Sequence, residues 1–177
     1  MRRAASAWGA CLILVACNPT APKPTPGPSI AASPTPVPLH ISGRGTASQP
    51  VHTIYQVRNR IVYELVATSF ESQGVQGKTN AVFHHARITF HDPSGSRMTA
   101  AAPQALLDEA ANTVTLIDGV HARSGSGTLL LCDRLVYDRD TQMLHGTGNV
   151  TIIDPQGFKA TGSSFVSDVS LTHMTMR

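Results

Sequence analysis

Most of this chain is predicted to be an all-β domain made of repeated antiparallel hairpins, on three observations. From about Ile54 to Thr175, short segments rich in Val, Leu, Thr, Phe and Tyr alternate apolar and polar residues, the period of half-buried strands. Turn residues cut these segments at Asp92-Pro93-Ser94-Gly95, Ser124-Gly125-Ser126-Gly127, Asp138-Arg139-Asp140 and Asp154-Pro155-Gln156-Gly157. Proline presets φ there and glycine supplies a positive one. The pattern also repeats without gaps at an offset of 30 residues. Ala105-Leu106-Leu107-Asp108 lies over Leu135-Val136-Tyr137-Asp138, and Gly119-Val120-His121-Ala122 over Asn149-Val150-Thr151-Ile152. Further on, Leu135 falls on Phe165, Asp138 on Asp168, Leu130 on Ala160 and Val114 on Leu144. A repeat that keeps both apolar phase and turn position means one supersecondary unit used two or three times, each copy unable to bury a face alone.

The N-terminus reads differently. Met1-Arg2-Arg3 leads an uncharged apolar stretch from Ala4 to Ala16, the layout of a secretory signal. Its thirteen residues would make about 20 Å of helix, short of a hydrocarbon core of ~30 Å. Leu14-Val15-Ala16-Cys17 resembles the bacterial lipobox, in which the cysteine is diacylated and becomes the new N-terminus. Residues 1–16 are therefore expected to leave as a lipoprotein signal peptide, and Cys17 to become the lipid anchor. Two or three acyl chains hold stably where one is marginal. Removing Arg2 and Arg3 takes the formal charge from +3 to +1, and with no basic, aromatic-interleaved run nucleic acid is not an expected partner. Cys11 leaves with the signal and Cys17 goes to lipid, so Cys132 stands alone as a buried small apolar residue, with no disulfide to form.

Residues 17–50 hold nine of the twelve prolines and read as a tether. Proline removes amide donors and favours extended polyproline II at roughly 3.1 Å per residue, semi-stiff, which holds a domain off a membrane surface. Residues 51–177 form the domain. Strands are predicted over Arg60–Phe70, Ala81–His91, Arg97–Ala102, Val114–Arg123, Thr128–Tyr137, Gln142–Asp154 and Phe158–Thr175, the last broken near Ser167-Asp168. Ala100–Ala111 has the composition of a helix but contains Pro103 and lacks a 3.6 period, so no helix is expected.

Catalytic and metal chemistry find little support. His84 and His85 point to opposite faces of a strand, and His85 and His91, of like parity, stand about 20 Å apart, beyond one Zn²⁺ shell. No Gly-x-Ser-x-Gly, phosphate-binding loop or dinucleotide fingerprint occurs. Asp138 and Asp168 recur at turns, where carboxylates accept backbone hydrogens; a paired-carboxylate hydrolase would need them about 5 to 9 Å apart. Neither an enzyme nor a cofactor is expected.

Three elements point to a family. Leu-x-Tyr-Asp at Leu135 to Asp138, Leu-x-Gly-x-Gly-Asn-Val at Leu144 to Val150, and Asp-Pro-x-Gly at Asp154 to Gly157 resemble the OstA/LptC proteins of lipopolysaccharide export. Thr115-Leu116-Ile117-Asp118-Gly119-Val120 is similar to an earlier copy of the second element. The resemblance covers roughly residues 54 to 175. It implies a twisted, open β-jellyroll in the periplasm that takes the acyl chains of lipopolysaccharide, or a similar amphiphile, from ABC-transporter membrane subunits and passes them to another OstA-like jellyroll by edge-strand pairing. Ile61 to Thr68 and Phe165 to Thr175 would be the pairing edges. LptC itself is anchored by a transmembrane helix, whereas this chain carries a lipobox and a tether. The inner membrane is expected from the resemblance, but Asn18, after the lipidated cysteine, is not the aspartate associated with inner-membrane retention, so the outer membrane stays open as an alternative.

Alternation then assigns the interior. One parity must line the concave face: Val114, Leu116, Val120 and Ala122, then Leu130, Cys132, Leu135, Tyr137, Leu144, Val150 and Ile152, then Ala160 and Phe165. The lipid-binding groove is expected on Val114, Leu116, Val120, Leu130, Leu135, Tyr137, Leu144, Val150, Ile152 and Phe165. The change of parity between Cys132 and Leu135 requires a bulge, which also supplies curvature. The same residues would equally make the core of a β-sandwich that serves an envelope complex as a structural or assembly lipoprotein without lipid cargo.

Overall fold

The computed structural model describes residues 39–75 and 78–177. The expected signal peptide, Cys17 and most of the tether lie outside them. Eleven strands make up one antiparallel sheet. They are β1 (Leu39–Arg44), β2 (Val51–Val57), β3 (Arg60–Ala67), β4 (Ser69–Val75), β5 (Lys78–His91), β6 (Arg97–Asp108), β7 (Thr113–Ser124), β8 (Leu129–Asp138), β9 (Met143–Ile153), β10 (Lys159–Ser167) and β11 (Met174–Met176). From β4 to β11 each strand pairs with the next in the chain, while β1 pairs β4 at one end. The sheet forks at β5, whose first half pairs β4 and whose second half pairs β3, which in turn carries β2.

The repeat is visible in the backbone. Positive φ falls at Asn112 and Gln142, at Asp118 and Gly148, at Gly119 and Asn149, and at Gly127 and Gly157, each pair 30 positions apart. Ser124 and Asp154 open the same turn: the Gly127 amide donates to the Ser124 carbonyl and the Gly157 amide to that of Asp154, both at 3.0 Å. Asp138 closes the β8–β9 corner by accepting the amides of Asp140 and Thr141 (2.8 and 3.0 Å), as Asp108 accepts that of Ala111 (2.8 Å). The acidic corners are thus turn-closing carboxylates. Those amides hold the Asp138 carboxyl below the usual carboxylate range, the Thr141 amide foremost.

A row of bulges crosses the long strands at mid-length. Asp118 and Gly119 oppose the single Asp133 between β7 and β8, and Gly148 and Asn149 oppose it again between β8 and β9. The expected break between Cys132 and Leu135 is this bulge. The Asn149 side-chain Nδ2 donates to the Asp133 carboxylate at 2.8 Å. Pro103, with no N–H to offer, sits opposite His85 (φ 51°) where the β5–β6 ladder skips a pair. Ala100 to Asp108 runs as strand through this point, in keeping with the absence of a helix.

The bulges fold the sheet on itself. Phe90 on β5 and Tyr137 on β8 are three strands apart, roughly 14 Å across a flat sheet, yet their ring centroids are 4.6 Å apart. The two halves of the long strands therefore face each other as two layers, and the sheet stays open rather than closing into a barrel. This is the twisted open jellyroll.

Several elements differ from expectation. Arg60–Phe70 is two strands, because Thr68 leaves the ladder and its amide bonds the His84 carbonyl at 3.0 Å. β1 comes from the stretch that composition assigns to the tether, so chain before residue 51 contributes to the sheet. Ile61 to Thr68 is not a free edge: β3 has β2 on one side and β5 on the other. The outer strands at that end are β1 and β2. At the other end the expected break after Ser167 separates β10 from β11, the last strand. No helix among the described residues is long and apolar enough to cross a membrane.

Candidate functional site

The expected groove residues all point between the two layers. Val114, Leu116, Leu130, Leu135, Tyr137 and Leu144 are fully buried, and Val120, Val150, Ile152 and Phe165 are at most 4% exposed. Ala122 and Cys132 join them, whereas Ala160 is half-buried. Register aligns them in cross-strand rows: Val114, Tyr137 and Leu144; Leu116, Leu135, Gly146 and Phe165; Ala122, Leu130 and Ile152. Each such side chain contributes about 1.5–3 kcal/mol by leaving water. The result is one continuous apolar interior running along the sheet.

Sequence reasoning missed more than half of this interior. Val62, Tyr63, Leu65, Phe83, Ile88, Phe90, Met98, Ala100 and Ala105 line it from β3, β5 and β6. A signal was present, since Ala81-x-Phe83 and Ala86-x-Ile88-x-Phe90 alternate on either side of a parity change at His85.

Within the second row, glycine and aromatic are complementary. Gly146 takes the place that Leu116 fills one repeat earlier. A Cβ built on Gly146 would lie 1.9 Å from the Phe165 Cε1 atom, so the Phe165 ring covers the vacant position. At one end of the interior the aromatics gather: Tyr55 stacks on Tyr63 (5.2 Å), Tyr63 meets Phe90 edge-on (6.4 Å), and the Arg139 guanidinium lies 4.7 Å over the Tyr55 ring, a cation–π contact. The Tyr137 hydroxyl is buried with no hydrogen-bond partner. Burial pushes it up to about 12.

Burial likewise pushes the Cys132 thiol up to about 12, leaving almost no thiolate at neutral pH. Cys132 is therefore expected to resist iodoacetamide in the folded protein and to react once urea unfolds it. Alkylation followed by mass spectrometry checks this, and rapid modification under native conditions would refute it.

The C-terminal turn pins Val169 and Leu171 into the interior. Partial burial raises the Asp168 carboxyl, but hydrogen bonds from the Ser170 hydroxyl (2.8 Å), the His173 ring (3.1 Å) and the Thr172 amide (3.2 Å) outweigh it and hold it down at about 2. A carboxyl depressed on folding stabilises above its unfolded value, ordinarily 3.8, and the contribution is lost as pH falls through the folded value. Stability is expected to drop between about pH 4 and pH 2, and Asp168→Asn to flatten that slope. Urea midpoints across this range test it; an unchanged acid slope in the variant would remove Asp168 from the account.

The histidines are dispersed. His91 Nε2 is 3.1 Å from Glu64 Oε1, His52 Nε2 is 3.9 Å from Glu64 Oε2, and His85 Nδ1 is 3.4 Å from the Thr68 hydroxyl. No group of three His, Cys, Asp or Glu that could hold a metal occurs among the described residues. What the described residues offer is shape and apolar surface.

The model of the family described as lipopolysaccharide-assembly, LptC-related, matches residues 11–176. No curated protein matches the chain.

Proposed function

The chain belongs to the LptC-related family of lipopolysaccharide-assembly proteins, and we propose that it is the lipid-anchored periplasmic member of an export line that accepts lipopolysaccharide acyl chains between its two layers. The observation that carries this reading is the unbroken apolar interior of an unclosed sheet, from Val62 on β3 to Phe165 on β10. Acyl chains would enter by parting the layers, each CH₂ gaining about 0.8 kcal/mol on leaving water. Because the Leu and Val side chains already fill the space, cargo must replace their contacts with its own. An exchange of like for like costs little and runs in either direction, which suits a carrier.

Hand-off uses backbone edges. β1 and β2 at one end and β11 at the other offer unpaired donors and acceptors to a neighbouring strand. ABC-transporter membrane subunits would dock at one end and a second OstA-like jellyroll at the other. Cys17 would hold the domain at the membrane, the inner one in the first instance, through a tether ending near Pro38. The chain itself does no covalent chemistry on the cargo and needs no cofactor.

Depletion of this chain is expected to leave lipopolysaccharide in the inner membrane, with rescue by the wild type and none by Cys17→Ser. Normal delivery to the outer membrane during depletion would overturn the reading. A second reading, an assembly lipoprotein that uses edge pairing without cargo, is favoured by how completely the interior is filled.

A further inference from the structure

The outward face of one layer carries a groove that the cargo reading leaves unused. Two adjoining cavities of about 500 Å³ each share Arg87, Ala101 and His121. Register explains the alignment, for Arg87, Ala101, His121 and Leu131 form one cross-strand row and Thr89, Thr99, Arg123 and Leu129 the next. The floor is apolar, with Ala101, Leu129 and Leu131, and Arg87, His121 and Arg123 are exposed along it. The second row continues through Ile153 to Lys159, and beside Lys159 at the turn stands Phe158, 72% exposed. Among the described residues no Arg or Lys is ion-paired with a carboxylate, the three such contacts being made by histidines. Asp118, at the bent end of the second cavity, is the carboxylate lining this groove.

Unpaired cations over an apolar floor, with an aromatic ring raised at the rim, match the chemistry of a bilayer interface. Guanidinium groups take lipid phosphates, their stems and the floor cover apolar surface, and an exposed aromatic settles at headgroup depth. We propose that this groove docks the domain on the anionic headgroup layer of a phospholipid bilayer, with phosphates between Arg87, His121 and Arg123 and Phe158 inserted beside them. The contact would set the jellyroll's orientation at the membrane, independently of what its interior carries.

The test is partition of the full chain carrying Cys17→Ser, so that no acyl anchor contributes, onto vesicles of phosphatidylcholine alone and of equimolar phosphatidylcholine and phosphatidylglycerol. The cationic, apolar N-terminus adds the same anionic preference to every variant, so the groove's share is read from the change in that preference between variants. The Cys17→Ser chain prefers the anionic vesicles and loses that preference as salt rises. Arg87→Gln with Arg123→Gln lowers the preference roughly 30-fold, about fivefold per cation, Phe158→Ser lowers partition as well, and Arg134→Gln on the other layer leaves the preference within about twofold. Equal partition onto both vesicle types, or an unaltered preference in the double variant, would overturn the proposal. So would displacement by inorganic phosphate at matched ionic strength, which would assign the groove to the free ion.

Discussion

Phe165→Ala is expected to destabilise the domain by about 3–5 kcal/mol, the cost of emptying a buried aromatic site, and Gly146→Leu by at least 1–3 kcal/mol through overpacking. The two changes together should cost much less than their sum. Gly146 and Phe165 are cross-strand partners, and the ring occupies the volume a side chain at 146 would need, with Cε1 1.9 Å from the position of a Cβ there. One repeat earlier the same place holds Leu116, fully buried. Leucine at 146 would fill part of the volume that the ring leaves when 165 is alanine, as Leu116 fills the matching place opposite Leu135 one repeat earlier, so the coupling should be favourable. Urea denaturation of the two single variants and the double variant measures it. Simple additivity would mean that the ring does not compensate for the glycine.

Tyr137 carries the second large effect, with opposite signs for two substitutions. Tyr137→Ala should cost about 3–5 kcal/mol, because the ring is wholly buried and bridges the layers through Phe90 at 4.6 Å. Tyr137→Phe keeps that packing and removes a buried hydroxyl with no partner. An unsatisfied buried polar group costs about 1–3 kcal/mol, so the phenylalanine variant should be as stable as the wild type or more so. Thermal or urea unfolding checks both. A loss of more than about 1 kcal/mol in Tyr137→Phe would mean that the hydroxyl has a partner in the folded protein.

The C-terminal half was legible because its signals are local. Turn residues and positive-φ positions recur 30 residues apart, and Leu, Val and Ile alternate strongly over β7, β8 and β9. The bulge between Cys132 and Leu135 could be read because the apolar parity changes there. The N-terminal half gave weaker signals. β1 and β4 are exposed or half-buried along most of their length, so Leu39–Arg44 and Ser69–Val75 alternate poorly and the first reads as tether. On β6 the interior residues are mostly alanines, with little contrast to their neighbours. The identity of the outer edges was not legible at all. Whether Ile61 to Thr68 ends the sheet depends on β2 and β5 finding it, and pairing between distant segments leaves no periodic trace in either. Outward rows such as Arg87 to Leu131 depend on the same non-local register.

The interior and the outward face are separable surfaces, and the proposed cargo transport would depend on the first. Photocrosslinkers at Leu116, Tyr137 and Val150, compared with one at the outward, half-buried Val136, test that dependence in cells. The account predicts lipopolysaccharide adducts from the three interior positions and none from Val136; adducts to protein alone from Leu116, Tyr137 and Val150 would contradict it.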